Sequence, residues 1–370
     1  MKNPFATSPA APHAAGQDKT IYSVQALRFI AAALVVASHI RSDYDLPSFG
    51  TAGVDIFFVI SGFIIHYVTR SGAPQFFTRR LIRILPLYWL GTFGLAVLAL
   101  VAPSILNNVD FSVEVLLKSL FFIPVWNEAF QYHLPLLMLG WSLNYEILFY
   151  LLYFVALSIS HKHRLVITSV MLLALTQIHP FVAPESALSF WSDAYIVEFI
   201  YGMVLAALMG NPKAIEKCRL PISVSVVALA VFCWALLPST GFVTTEMSLH
   251  KWTRVLVIGL PATLLVVLTL ATEQSMRRLS AGVKSGINFL GELSYPTYIF
   301  HVYVMGLLKR IGFLEQGILV YSAVVTVATL VLSAVVFLFY EQPVRNYLSK
   351  HLLPRKTAKP QATPPNVLPA

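Results

Sequence analysis

The chain has 370 residues, of which 57% are hydrophobic and 12% charged, with a formal net charge of +9 and a mean hydropathy of +0.72. Soluble domains carry about 25% charged residues, so this sequence cannot supply the polar coat of a soluble fold of its length. Its two cysteines, Cys218 and Cys233, make neither a disulfide framework nor a metal-ligand spacing, and no metal is expected.

Residues 1–20, rich in Pro, Ala, Ser and Thr, have the composition of a disordered tail. The first apolar run, 21–40, carries Arg28 and ends in Ser38-His39-Ile40-Arg41 rather than in a small-residue cleavage site. It therefore reads as a retained membrane helix. Further runs at 52–69, 84–102, 141–160, 165–182, 192–209, 221–238, 252–271, 289–308 and 317–340 approach the ~20 residues a spanning helix needs. The expected fold class is all-α: a polytopic integral membrane protein of ten transmembrane helices. The apolar piece at 113–125 is too short to span and fits a re-entrant or interfacial segment. A basic, Pro-rich tail follows at 346–370, disordered from 354, which leaves 21–345 as one membrane domain.

With the N-terminus inside, twenty of the 26 Lys and Arg fall on the cytoplasmic side. The other six are Arg41, Lys118, Lys251, Arg254, Lys309 and Arg310. Basic residues favour cytoplasmic loops, so both termini are expected in the cytoplasm. The same asymmetry accounts for the net positive charge, and no nucleic-acid partner is needed.

Ionisable side chains inside membrane helices are costly and mark sites or buried pairs. Arg28 and His39 are eleven residues apart, about three helical turns, which puts them on nearly one face with about 16 Å between them. The plainer alternative is a snorkelling arginine and an interfacial histidine. Asp55 enters the second run before Ile56-Phe57-Phe58 and calls for a partner, a nearby histidine by preference, or else caps the helix start. Glu146 lies early in the fourth run and shares a face with Ser142. In the ninth run Gly291, Ser294, Tyr298 and His301 form a polar stripe. Glu198 is a further outer-half carboxylate, equally readable as structural. His39, Asp55, Glu146 and His301 are thus expected at one depth as an acid–base cluster.

A second group, in Phe76-Phe77-Thr78-Arg79-Arg80-Leu81-Ile82-Arg83, opens the third run, where Arg79, Arg80 and Arg83 crowd the cytoplasmic face. Positive-inside anchoring would accept lysines equally; three arginines suit bidentate contact with phosphate, on a cofactor or a lipid headgroup.

Six blocks in order resemble the membrane-bound acyltransferase 3 family of bacterial exopolysaccharide and lipopolysaccharide O-acetyltransferases. They are Leu27-Arg28-Phe29 through His39, a basic residue and a histidine separated by ten positions; Gly53-Val54-Asp55-Ile56-Phe57-Phe58; Arg80-Leu81-Ile82-Arg83; Trp141-Ser142-Leu143 with Glu146; Leu290-Gly291-Glu292-Leu293-Ser294-Tyr295 with His301; and Tyr340-Glu341-Gln342-Pro343 with Arg345.

The resemblance implies a bacterial inner-membrane enzyme with acetyl-CoA, or a related acyl-CoA, as cytoplasmic donor. The acceptor it implies is a surface carbohydrate, an exopolysaccharide or lipopolysaccharide precursor. Some members carry a fused extracytoplasmic hydrolase-like domain, which is not expected here. On that reading Arg79, Arg80 and Arg83 hold the CoA phosphates, and Arg28 binds the cofactor or stabilises the thioester oxyanion. His39 is the general base on the sugar hydroxyl, or first accepts the acyl group. Asp55 or Glu146 orients its imidazole, and His301 serves the acceptor side. The alternatives are a precursor transporter or flippase, which needs no CoA, and transfer of succinyl or a longer acyl group. Ten spans with intramembrane charge also suit a secondary transporter, but no internal repeat is visible.

Overall fold

The computed structural model describes residues 20–46, 52–102, 111–209, 218–237 and 251–353. The terminal tails expected at 1–20 and beyond 354 lie outside them, apart from Thr20. In chain order the helices are α1 (Tyr22–Asp43), α2 (Ala52–Val68), α3 (Phe76–Val101) and α4 (Val113–Leu120). A ribbon of two-residue strands, β1 (Trp126–Asn127) and β2 (Tyr132–His133), pairs antiparallel and is the one sheet among the described residues. There follow α5 (Gly140–Ile159), α6 (Arg164–Ile178), α7 (Ala187–Trp191), α8 (Val197–Leu208) and α9 (Ile222–Ala235). The last group is α10 (Trp252–Leu270), α11 (Glu273–Arg277), α12 (Ala281–Arg310), α13 (Ile318–Val336) and α14 (Gln342–Leu352). The protein is all-helical, as the hydropathy pattern predicts.

Among the described residues seven helices are long and apolar enough to cross a bilayer, namely those within 22–43, 76–101, 140–159, 164–181, 187–208, 252–270 and 318–352. The runs expected at 52–69 and 221–238 form apolar helices of 17 and 14 residues. The ninth run belongs to the 30-residue α12, which carries Lys284, Asn288, Glu292 and His301 along its length and is not among the seven. Val101, Leu319 and Phe339 are 79%, 84% and 78% exposed, as residues facing hydrocarbon would be. The chain is a multi-pass membrane protein.

Two compact units divide the chain. The first takes the described residues of 1–67, 194–298 and 316–322. Its core joins Leu27, Ala31, Ile56, Val59 and Phe63 to Ala206, Ile258, Ala262, Val266 and Leu270. Here α2 and α8 cross backbone to backbone. A Cβ on Gly62 would stand 2.1 Å from the Phe199 carbonyl oxygen, and one on Gly202 would stand 2.0 Å from that of Val59. Small residues permit such approach where lipid gives helices no hydrophobic reason to associate. At the start of α1, the buried Glu273 carboxylate accepts from Ser23 N (2.9 Å) and Ser23 Oγ (2.8 Å) and pairs with Arg277 (2.9 Å). It thereby satisfies donors that a helix start leaves open.

The second unit takes 68–193, 299–315 and the described residues from 323 onward. Its packing is aromatic. Tyr88 stacks on Phe122 at 4.8 Å and Tyr145 on Phe190 at 4.2 Å, while Phe76 meets Tyr150 and Tyr153 at 6.1 and 5.5 Å. The short α4 is capped by Ser112, whose Oγ accepts from Val115 N at 3.1 Å.

Candidate functional site

In the first unit, Gly53 of α2 packs against Ala31 and Val35 of α1. His39 follows Val35 by one turn, about 6 Å, and Asp55 follows Gly53 by about 3 Å. His39 thus sits one turn from that contact, whereas Asp55, about 200° around α2 from Gly53, leaves the helix on the face turned away from it. His39 is half-buried, and its Nδ1 is 3.0 Å from the Val35 carbonyl oxygen of its own helix. A carbonyl only accepts, so in the neutral ring Nδ1 carries the proton and Nε2 is the basic nitrogen.

Asp55 is 1% exposed, and its partner corrects the expected one. Arg254 Nη2 donates to Asp55 Oδ2 at 2.7 Å. Arg254, expected at the outer end of the run 252–271, is itself 1% exposed and lies with its guanidinium 5.4 Å from the Tyr195 ring centre. A carboxylate buried this deeply requires a full opposite charge, and no histidine takes that place. Asp55 Oδ1 is buried and accepts no hydrogen bond from any described residue. Beyond Arg254 the helix opens into a π-helical turn, Val255–Gly259, and the carboxyl of the fully buried Glu198 rests against Gly259.

Deeper along α1, Arg28 is half-buried and donates through Nη1 to Gln25 Oε1 at 3.0 Å. Gln25 Nε2 in turn donates to Asn288 Oδ1 of α12 at 3.0 Å. Two members of the α12 stripe meet these helices within the unit, for Gly291 packs on Gln25 and Tyr298 meets Phe57 edge-on at 6.0 Å.

In the second unit the arginines are not in front of the helix but inside it. The expected span began at 84, yet α3 starts at Phe76 and takes Arg79, Arg80 and Arg83 into its first two turns. Apolar windows exclude such residues; the helix accepts them because long arginine stems lie along apolar and aromatic surface. Arg80 stands 5.8 Å from the Phe76 ring centre, and Arg79 is exposed, donating through Nε to the Pro74 carbonyl at 3.3 Å.

Glu146 is the larger correction. Its Oε1 accepts from the Tyr150 hydroxyl, and both groups interact electrostatically with Arg80. Glu146 therefore belongs to the arginine level of α3. His301, fully buried, sits between Ile299, which packs on Gly91, and Tyr303, whose hydroxyl donates to the Gly91 carbonyl. Gly91 is eleven residues beyond Arg80, about 16 Å along the helix. The single depth expected for His39, Asp55, Glu146 and His301 does not hold, because Glu146 and His301 occupy different levels of α3 within one unit.

Three participants were missed. Gln25 and Tyr150 are uncharged and left no signal in a search for ionisable residues. Arg254 had one: it opens the apolar run 252–271 at the same expected end of the membrane as Asp55, and opposite charges at matching depth are a pairing signal. Among the described residues no three His, Cys, Asp or Glu are grouped to hold a metal.

A family model described as an acyltransferase domain matches residues 21–338. The chain is 32% identical over 270 residues to the exopolysaccharide production protein ExoZ of Rhizobium meliloti, covering 71% of this chain and 79% of that one. It is 23% identical over 370 residues to the O-acetyltransferase OatA of Staphylococcus aureus, covering 90% and 59%. With the peptidoglycan O-acetyltransferase OatA of Listeria monocytogenes it shares 22% over 365 residues, covering 88% and 56%. It thus spans less than two thirds of the OatA proteins. No solved structure matches it. The chain belongs to the acyltransferase 3 family of membrane proteins.

Proposed function

We propose that the protein is an inner-membrane O-acyltransferase that moves an acetyl group from cytoplasmic acetyl-CoA to a hydroxyl of an exported carbohydrate. The names of the relatives, exopolysaccharide production for ExoZ and peptidoglycan O-acetylation for OatA, support a polysaccharide or its precursor as acceptor. Ten spans with both termini cytoplasmic remain the topology that suits the charge asymmetry.

The observation that carries the reading is the state of His39. A backbone carbonyl holds Nδ1, which leaves Nε2 as the nitrogen that takes a proton. In the reaction, the acceptor hydroxyl passes its proton to His39 Nε2 while its oxygen bonds to the acyl carbon. The carbon–sulfur bond breaks, and the departing CoA thiolate recovers the proton from Nε2. Arg80 and Arg83, with Arg79 at the rim, hold the CoA phosphates. Arg28, fixed by Gln25, stabilises the thioester oxygen as it gains charge. Asp55 supports the imidazolium, Glu146 balances the arginine group, and His301 serves the acceptor.

The test is the O-acetyl ester content of exported polysaccharide from cells carrying His39→Ala or Arg83→Ala at equal membrane protein level. Both variants lose acetylation on this reading. Near-normal acetylation in both rules it out.

A further inference from the structure

In the second unit one cation stands where three physical effects disfavour it. Arg164 is the first residue of α6 and is 7% exposed. A helix start carries the positive end of the dipole, and a buried guanidinium loses hydration that a carboxylate has to replace. No carboxylate meets it among the described residues. Its Nε donates to the Tyr153 hydroxyl at 2.9 Å and its Nη1 to the His161 carbonyl, both neutral acceptors. The third nitrogen, Nη2, has no hydrogen-bond partner among the described residues and is not sealed from solvent. The arm itself is fixed: Tyr153 Oη lies 2.7 Å from Thr69 Oγ1, and His161 Nε2 lies 2.8 Å from the Thr69 carbonyl oxygen.

This arm adjoins the arginine group of α3. The Phe76 ring meets both Tyr150 and Tyr153 and has Arg80 5.8 Å from its centre. Arg80 and Arg83 interact electrostatically with Tyr150, whereas Arg164 holds Tyr153. The two tyrosines are three residues apart on α5, about 4.5 Å of helix rise. The start of α3, the last turns of α5 and the start of α6 thus meet at one end of the unit, the end that the charge asymmetry expects in the cytoplasm. Among the described residues Glu146 is the one carboxylate that interacts with any of Arg79, Arg80, Arg83 and Arg164. The four guanidinium groups are short of anions.

We propose that Arg164 is a second phosphate subsite of the donor site: it takes the 3′-phosphate on the ribose of CoA, while Arg80 and Arg83 take the diphosphate. This rests on the reading of acyl-CoA as donor. CoA carries phosphate at two separate places, and the arginines stand at two levels joined through Phe76, Tyr150 and Tyr153. A phosphate monoester brings close to two negative charges and three acceptor oxygens. It supplies the counter-charge that Arg164 lacks and an acceptor for Nη2. Because Tyr153 and His161 already orient the guanidinium, little side-chain freedom is lost when the phosphate binds.

Calorimetric titration of CoA and of 3′-dephospho-CoA into the purified full-length protein in neutral detergent tests the subsite. Wild type binds CoA at least about tenfold more tightly, the value of a charge-assisted hydrogen bond. Arg164→Gln lowers CoA affinity to that of dephospho-CoA and leaves dephospho-CoA affinity unchanged. Arg164→Lys, which keeps the charge without the fork, retains part of the preference. Arg80→Ala weakens both ligands and keeps their ratio. A merely structural Arg164 would, when replaced by Gln, weaken both ligands together or neither, and either result overturns the proposal. Equal binding of the two ligands by wild type overturns it without any variant, so a misfolded Arg164→Gln does not protect it. Phosphate on an anionic lipid is told apart by measuring phospholipid that copurifies with each protein. If Arg164→Gln loses that lipid and keeps the preference for CoA, the arginine serves a headgroup and the proposal falls. If wild type binds neither ligand, the acyl-CoA donor fails and the subsite with it; binding of both without preference removes the subsite alone.

Discussion

Two arginines, one in each unit, are held in opposite ways, Arg254 buried and Arg80 half-buried. Arg254 is paired within the protein: the Asp55 carboxylate meets its Nη2 at 2.7 Å and the Tyr195 ring lies against it. Arg80 leans on Phe76 and interacts with Glu146 and Tyr150 at longer range, but makes no hydrogen bond to any described residue. A guanidinium offers five donors in a fixed fork. Where a carboxylate of the protein meets that fork, the arginine serves the protein's own architecture. Where nothing meets it, the fork is available to a ligand with oxygens to offer, and phosphate is the natural match. The contrast separates positioning from binding without reference to any motif.

Breaking the paired arginine carries the largest expected effect. Arg254→Met leaves Asp55 buried without its counter-charge and costs about 3–5 kcal/mol of stability, read as a lower unfolding temperature in detergent. Removing the open one acts on binding instead. Arg80→Ala weakens CoA binding about ten- to a hundredfold, the value of charge-assisted hydrogen bonds to phosphate, while the unfolding temperature stays near wild type; calorimetric titration of CoA into purified protein measures it. An equal loss of stability in Arg80→Ala would erase the distinction between the two residues.

Gly62→Ala sharpens the comparison from another side, because it disturbs the first unit without touching a charge. Its methyl group collides with the Phe199 carbonyl and costs about 1–3 kcal/mol, with CoA affinity unchanged. The smallest effect belongs to Tyr150→Phe, which removes the hydroxyl that donates to Glu146. It costs about 1 kcal/mol in stability and, by leaving Glu146 free to draw on Arg80, lowers CoA affinity by less than Arg80→Ala does.

Most of the fold was legible in the sequence because hydrocarbon imposes a simple demand: about 20 apolar residues per span, with backbone groups satisfied within the helix. Helix starts were the weak point. The third run was bounded at 84, with 76–83 read as its opening, and α3 in fact begins at Phe76. Of the site, His39, Asp55 and the arginine group stood out as charges in costly places. Their partners did not, since a glutamine and a tyrosine carry no charge, and Arg254, counted only toward the outer side, was not matched to Asp55. Asp55 was correctly expected to need a partner, but proximity in sequence pointed to a histidine, whereas the partner lies 199 positions away.

The most direct test of the central claim supplies radiolabelled acetyl-CoA to the cytoplasmic face of inverted membrane vesicles and follows label into carbohydrate. Label enters the polysaccharide fraction with wild-type protein and fails to enter with His39→Ala, if His39 is the base that drives transfer from acyl-CoA. Equal labelling by both proteins, or none by wild type in vesicles that still hold the acceptor, would contradict it.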